Sequence, residues 1–119
     1  MRTPLYPLKR RADFLRVAAL RRKWAMPGLV LQVAPNPLDD AVRPRIGFTA
    51  SRKVGGAVQR NRARRRLREA VRAVLAAHAK PGLDYVVIAR EQTVTRPWPD
   101  LLIDMEVAMR RLKSWQDPA

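Results

Sequence analysis

Cysteine is absent from all 119 residues, which excludes disulfides, thiolate metal sites and cysteine nucleophiles and is compatible with a reducing compartment. Histidine occurs once, at His78, and acids number 10 against 25 Lys and Arg. A protein nuclease needs clustered carboxylates for magnesium or paired imidazoles for acid/base work. Little here meets that need. Asp39-Asp40 is the only acidic doublet and lies between prolines, while Asp104 and Glu106 sit two positions apart on a predicted helix and point to different faces. His78 falls in the apolar stripe of another predicted helix, which suits a buried or capping imidazole. No catalytic residue, metal ligand or protein-bound cofactor is expected. Long apolar runs are also missing: none approaches the ~18 residues of a membrane span. The start of the chain carries Pro4, Pro7, Lys9, Arg10 and Arg11 instead of the apolar stretch of a signal peptide. A cytoplasmic protein without a membrane partner is the expectation.

What the chain does have is positive charge. The formal net charge is +15 and the pI about 11.7, a balance that points to nucleic acid or, less specifically, to an anionic surface. A hydrophobic fraction of 47% supplies enough apolar material to offset chain entropy, so this is a folded domain and not a basic tail. At this length one domain is expected, burying roughly two-thirds of the unfolded surface.

Residues 1–8 read as an extended arm, because Pro4 and Pro7 block a helix start. Phe14, Leu15, Val17 and Ala18 then recur at helical spacing over about 11–20, followed by a basic exit through Arg21, Arg22 and Lys23. Gly28 to Ala34 is a β-rich run stopped by Pro35 and Pro37, and 36–44 is a loop. In Arg45 to Ser51, Ile46, Phe48 and Ala50 share one face and Arg45, Gly47 and Thr49 the other; an antiparallel pair with the preceding strand is predicted. Gly55-Gly56 precede a long helix over about 57–79, ended by Pro81-Gly82. Asp84 to Arg90 is a strand apolar enough for burial on both faces, and Trp98, Leu101, Leu102, Met105, Ala108, Met109 and Leu112 trace a last amphipathic helix. The order is α-β-β-α-β-α, a small α+β sandwich of the α/β type. Phe48 is assigned to the core beneath the long helix, and Trp24, Trp98 and Trp115 to packing or rim positions.

On the long helix, at 100° per residue, Ala63, Leu67, Ala70, Val71, Val74 and His78 cover about a third of the circumference, and Asn61, Arg62, Arg65, Arg66, Arg68 and Arg72 the opposite arc. Between Ser51 and Arg72 the basic residues are Arg52, Lys53, Arg60, Arg62, Arg64, Arg65, Arg66, Arg68 and Arg72, with Glu69 the only acid. Such a face is often merely solvated, but here it follows a Gly turn and surrounds an Asn. Lys53-Val54-Gly55-Gly56-Ala57-Val58-Gln59-Arg60-Asn61-Arg62, continued by Arg64, Arg65, Arg66 and Arg68, resembles the Arg-Asn-Arg signature of bacterial ribonuclease P proteins. Asp13-Phe14, Arg45-Ile46-Gly47 and Val87-Ile88-Ala89-Arg90 extend that resemblance over most of the chain.

The resemblance implies an accessory subunit of a ribonucleoprotein whose RNA, with bound Mg2+, is the catalyst, and whose protein helps bind the 5′ leader of precursor tRNA. The implied partners are ribonuclease P RNA and precursor tRNA, with no obligate protein partner. RNA-binding candidates are Arg52, Lys53, Arg60, Asn61, Arg62, Arg65 and Arg68, with Arg64 and Arg66 ranked lower; the cations have reach and charge for a phosphate backbone, and Asn61 can donate and accept at a sugar or base edge. A leader cleft between the first helix and the sheet is implied, with Phe14, for stacking or as plain core, and Arg45, Thr49 and Arg90 as candidates. Ala18 and Gln32 stand where many relatives place aromatics. A left-handed crossover is implied too, similar to a domain of a ribosomal protein, against the usual right-handed rule. Competing readings are a ribosomal or chaperone-type RNA binder, and a DNA binder using the basic helix in a major groove; a strand before that helix argues against the last.

Overall fold

The structure, a computed structural model, describes residues 5–38 and 43–117. Its centre is set by the strand with the most apolar sequence. β5 (Leu83–Ala89) has Val86 and Val87 buried on opposite faces, so it can only be an interior strand. It pairs antiparallel with β3 (Leu29–Pro35) and parallel with β4 (Arg45–Thr49). β2 (Lys23–Met26) adds to β3 as a hairpin, and the two residues of β1 (Tyr6–Pro7) add to β4, giving the order β1-β4-β5-β3-β2.

Helices cover both faces. α1 (Arg11–Leu20) lies on one, where Val17 packs with Leu8, Ala34 and Val86. The other carries the larger core. There α2 (Ala57–Ala70) continues through a π turn (Val71–Leu75) into α3 (Ala76–His78), and α4 (Trp98–Arg111) packs beside that rod along the π turn. Leu67 and Leu75 meet Leu101, Met105 and Met109 over Leu29, Leu31, Val33, Tyr85 and Val87. Truncating any one of these leucines to Ala should cost about 2–5 kcal/mol.

The predicted helices, the alternation of β4 and the two-faced burial of β5 are all present. Three expectations are corrected. The antiparallel β3–β4 pair does not form, because β5 inserts between them; the parallel β4–α2–β5 connection brings the doubly apolar strand to the middle. The basic exit after α1 is the start of a strand, since Pro27-Gly28 closes a tight turn that pairs Met26 with Leu29. Within the predicted arm, Tyr6 and Pro7 are an edge strand that uses no Pro N–H. Residues 1–4 of that arm and the Asp39-Asp40 doublet lie outside the described residues.

Candidate nucleic-acid interface

The basic segment begins where β4 ends. The Ser51 hydroxyl accepts the Lys53 N–H at 3.3 Å and starts a 3₁₀ turn (Arg52–Val54) that leaves Arg52 and Lys53 exposed. Gly55 follows at φ 140°, and a β-carbon there would lie 2.9 Å from Cβ of Gln59, so glycine is required twice over. α2 then starts at Gly56 with no acid in its first turn, so its positive dipole end adds to the cations that follow.

Along α2 the basic side chains divide by direction. Arg62 and Arg65 are exposed and make no side-chain hydrogen bond or ion pair among the described residues. Asn61 is exposed and its Oδ1 accepts from Arg64 at 3.3 Å. Arg60 is half-buried, and its Nε has no partner among the described residues. Arg66 differs from the rest: its guanidinium donates to the carbonyls of Thr93, Val94 and Arg96 at 2.6, 3.0 and 2.5 Å. It pins the loop before α4.

Arg64 and Arg68 turn toward the sheet edge. Beyond the Pro7–Ile46 pairing β4 has no strand neighbour on that side among the described residues, and a groove opens between α1 and α2. One part, about 470 Å³, is lined by Lys9, Arg11, Phe14, Phe48, Thr49, Ala50, Ser51 and Arg64. Another, about 360 Å³, shares Phe14, Phe48 and Arg64 with it and reaches Gly47 and Arg68. Phe14 is half-buried, packed against the smaller core cluster and open to the groove. One ring edge rests on Gly47, where a β-carbon would meet Phe14 Cζ at 2.6 Å, and the ring also lines the groove. Phe48 is only partly core; it lines the groove as well, with the Arg68 guanidinium 5.8 Å from its ring centre.

Two cleft candidates stand elsewhere. Arg45 is held by buried Asp84, which accepts from Nε at 2.8 Å and from a terminal nitrogen at 2.7 Å, while Arg16 donates to the same carboxylate and to the Pro35 carbonyl. The hydrogen bonds to Asp84 raise the Arg45 pKa, and its charge is spent inside the protein. This cluster ties α1 to β4 and β5. Arg45 borders a different hollow, about 350 Å³, with Pro7, Lys9, Arg10, Asp13, Pro37 and Leu38. Arg90, exposed past the end of β5, donates to the Met26 carbonyl at 2.8 Å and is absent from the groove walls.

Asp104, Glu106 and His78 are engaged within the protein. Buried Asp104 accepts from Arg96 Nε at 3.0 Å and from the Gly28 N–H at 2.9 Å, and Glu106 pairs with Arg110 at 3.0 Å. His78 stacks on Trp115 at 3.6 Å between ring centres, and its Nδ1 lies 3.0 Å from the Gln116 carbonyl. Among the described residues no group of three or more acids and histidines is placed to hold a metal ion.

A Gly turn feeding a basic helix, beside an aromatic groove on a mixed sheet, is the arrangement against which other proteins can be compared. The family model described as Ribonuclease P matches residues 3–113. The chain belongs to the ribonuclease P protein family. It is 61% identical over 111 residues to the ribonuclease P protein component of Paramagnetospirillum magneticum, covering 92% of this chain and 84% of that one. Identity to the component of Ruegeria pomeroyi is 47% over 106 residues, covering 88% and 84%. Among solved structures, the Staphylococcus aureus RNase P protein superposes with a TM-score of 0.76 at 26% identity, covering 95% of this chain and all of that one. The Thermotoga maritima RNase P protein gives 0.69 at 26% identity, covering 87% and 96%. This ribonuclease P protein is therefore a subunit of a tRNA-processing ribonucleoprotein, whose RNA is its partner, and the ribosomal, chaperone and DNA-binding readings fall away.

Asp84, Arg16, Lys9, Arg11 and the groove roles of Arg64 and Phe48 were not legible in advance. The one available signal was Asp84 itself, a charge opening an otherwise apolar strand, which demands a buried partner.

Proposed function

We propose that this ribonuclease P protein grips the RNA subunit with Arg52, Lys53, Arg60, Asn61, Arg62, Arg65 and Arg68, and holds the 5′ leader of precursor tRNA in the groove beside Phe14 and Thr49. The observation that carries this reading is the continuity of the two surfaces: Arg64 and Arg68 belong to the basic helix and also wall the aromatic groove. A strand leaving the RNA surface can enter the groove without crossing neutral protein. Stacking on an aromatic ring contributes on the order of 1–3 kcal/mol per base and tolerates any sequence, which suits leaders that differ between tRNAs.

Bond cleavage on this reading takes place in the RNA subunit with its Mg2+, and the protein contributes binding and placement in the cytoplasm. The buried carboxylates Asp84 and Asp104 agree with that division, since both are committed to arginines. The test is cleavage of a precursor tRNA by a bacterial ribonuclease P RNA at low magnesium, with and without the protein. Stimulation yielding the mature 5′ end is expected; tight RNA binding without stimulation would reject the reading. Phe14→Ala should lower the preference for precursor over mature tRNA while leaving affinity for the RNA subunit unchanged.

A further inference from the structure

Basic side chains also collect at the end of the molecule away from Arg60. Arg21, Lys23, Arg111 and Lys113 are exposed there, and none has an acidic partner among the described residues. They border the outer edge of β2 from its two sides, Arg21 and Lys23 from the α1 face and Arg111 and Lys113 from the α4 face. The Arg22 guanidinium donates to the Leu112 carbonyl at 2.6 Å, and the Arg111 guanidinium lies 5.2 Å from the ring centre of Trp24, so the start of β2 is stitched to the end of α4. Lys80 Nζ donates to the Lys113 carbonyl at 2.9 Å, which brings in the turn after α3. Of the acids on these segments, Glu106 pairs with Arg110 at 3.0 Å, while Asp117 accepts the Trp115 indole N–H at 3.2 Å and keeps its charge against four cations.

Three observations separate this cluster from ordinary solvated charge. Arg21 at φ 60° and Lys113 at φ 55° are left-handed, a conformation in which a β-carbon costs about 1 kcal/mol and glycine is the usual occupant after a helix. At Lys113 the closure is a full Schellman pair: its N–H donates to the Arg110 carbonyl at 3.1 Å, and the Ser114 N–H to that of Met109 at 2.9 Å. Next, the carbonyls at the end of α4 are already capped, that of Leu112 by Arg22 and those of Arg110 and Met109 by the Schellman N–H groups, so the helix end does not need Arg111 and Lys113 as well. Finally, Trp24, 37% exposed, holds the Arg111 guanidinium in place by a cation–π contact, which lowers the entropy lost when it meets an anion.

We propose that Arg21, Lys23, Arg111 and Lys113 form a second phosphate-backbone site of this ribonuclease P protein. The α2–α3 rod runs about 27 Å from Arg60 to His78, at 1.5 Å per residue, and the turn after His78 meets the cluster where Lys80 donates to the Lys113 carbonyl. No single side chain spans that length, so the site takes phosphates beyond the reach of the α2 face, a second stretch of RNA on this proposal. The inference rests on the α2 face being the primary RNA grip. The second stretch belongs either to the RNA subunit or to the body of the precursor tRNA; both offer the same phosphate chemistry.

The test uses the full chain carrying Arg21→Gly, Lys23→Ala, Arg111→Ala and Lys113→Gly together. Each lost phosphate contact lowers the slope of log affinity against log salt by about 0.7–0.9, so four should flatten it by about 3. Between 50 and 200 mM salt the native protein should then lose roughly 60-fold more affinity than the variant. A change in binding to the RNA subunit alone assigns the stretch to that RNA. A change confined to precursor tRNA binding by the assembled ribonucleoprotein assigns it to the substrate. Unchanged slopes in both overturn the proposal. Arg62→Ala with Arg65→Ala is the control: if it too leaves the slope unchanged, the primary-face reading has failed, whereas a loss there alone removes only the second site. The pair Arg21→Gly and Lys113→Gly should keep or raise the unfolding midpoint while weakening RNA binding. A fall in midpoint would mean that these side chains serve the fold, and would reject the proposal.

Discussion

Replacing Asp84 by Asn removes one negative charge from the most buried ionic cluster among the described residues. Asp84 has no exposed surface, accepts two hydrogen bonds from Arg45 and one from Arg16, and these arginine side chains are 14% and 31% exposed. Breaking a fully buried pair by neutralising one partner costs about 3–5 kcal/mol, because the surviving charge is left without compensation. Here water reaches both guanidiniums in part, which brings the expected loss to about 3 kcal/mol. For a chain of this length the unfolding entropy is about 0.25 kcal/mol per kelvin, so the melting temperature should fall by about 12 °C. The assay is thermal and urea unfolding of the free protein. A double-mutant cycle adding Arg45→Gln should show a coupling of about 1–3 kcal/mol, since the second substitution removes the charge stranded by the first. A loss below about 1 kcal/mol, or additive effects in the cycle, would refute the claim that Asp84 anchors α1 to the sheet.

Gly47→Ala should push the Phe14 ring off its seat and cost about 1–2 kcal/mol, together with a lower preference for precursor over mature tRNA; unfolding and competition binding measure the two effects. Arg62→Ala with Arg65→Ala should shallow the salt dependence of RNA-subunit binding by about 1.5 and leave the melting temperature within a degree or two, since both side chains are exposed and neither makes a hydrogen bond or ion pair among the described residues. Burial pushes the Tyr85 hydroxyl up to about 12 from its ordinary 10.0, and the hydroxyl donates to the Ser114 carbonyl at 2.7 Å and accepts the Lys80 N–H at 2.9 Å. Because the folded value is raised, this contribution is fully present below the unfolded pKa of 10.0 and is lost as pH climbs toward about 12, some 2–3 kcal/mol in all. Urea unfolding of Tyr85→Phe across that range should show a flatter alkaline decline than the native protein.

The sequence by itself determined the first helix, the long rod and the last helix, the three long strands and the chemistry of the partner. Helical spacing over 57–79, β-branched runs around Val30 and Val86, and a charge of +15 are local or summed properties, read without knowing which elements touch. The Pro27-Gly28 turn was equally local, and with it β2 could have been found. Only the tertiary structure decided which cations are free. Arg66 and Arg62 lie one turn apart on the same helix, yet Arg66 is consumed by three carbonyls of a loop 27–30 residues away and Arg62 is not. Arg45 looked like a ligand for RNA and is bound by Asp84, while Arg64 looked marginal and walls the groove. Strand order was beyond reach for the same reason: β3 and β4 are neighbours in sequence, but the crossover through α2 carries β5 between them. Periodicity fixes which face a side chain occupies; whether that face meets solvent, a carboxylate or a carbonyl depends on contacts made far along the chain, where the sequence carries no local signal.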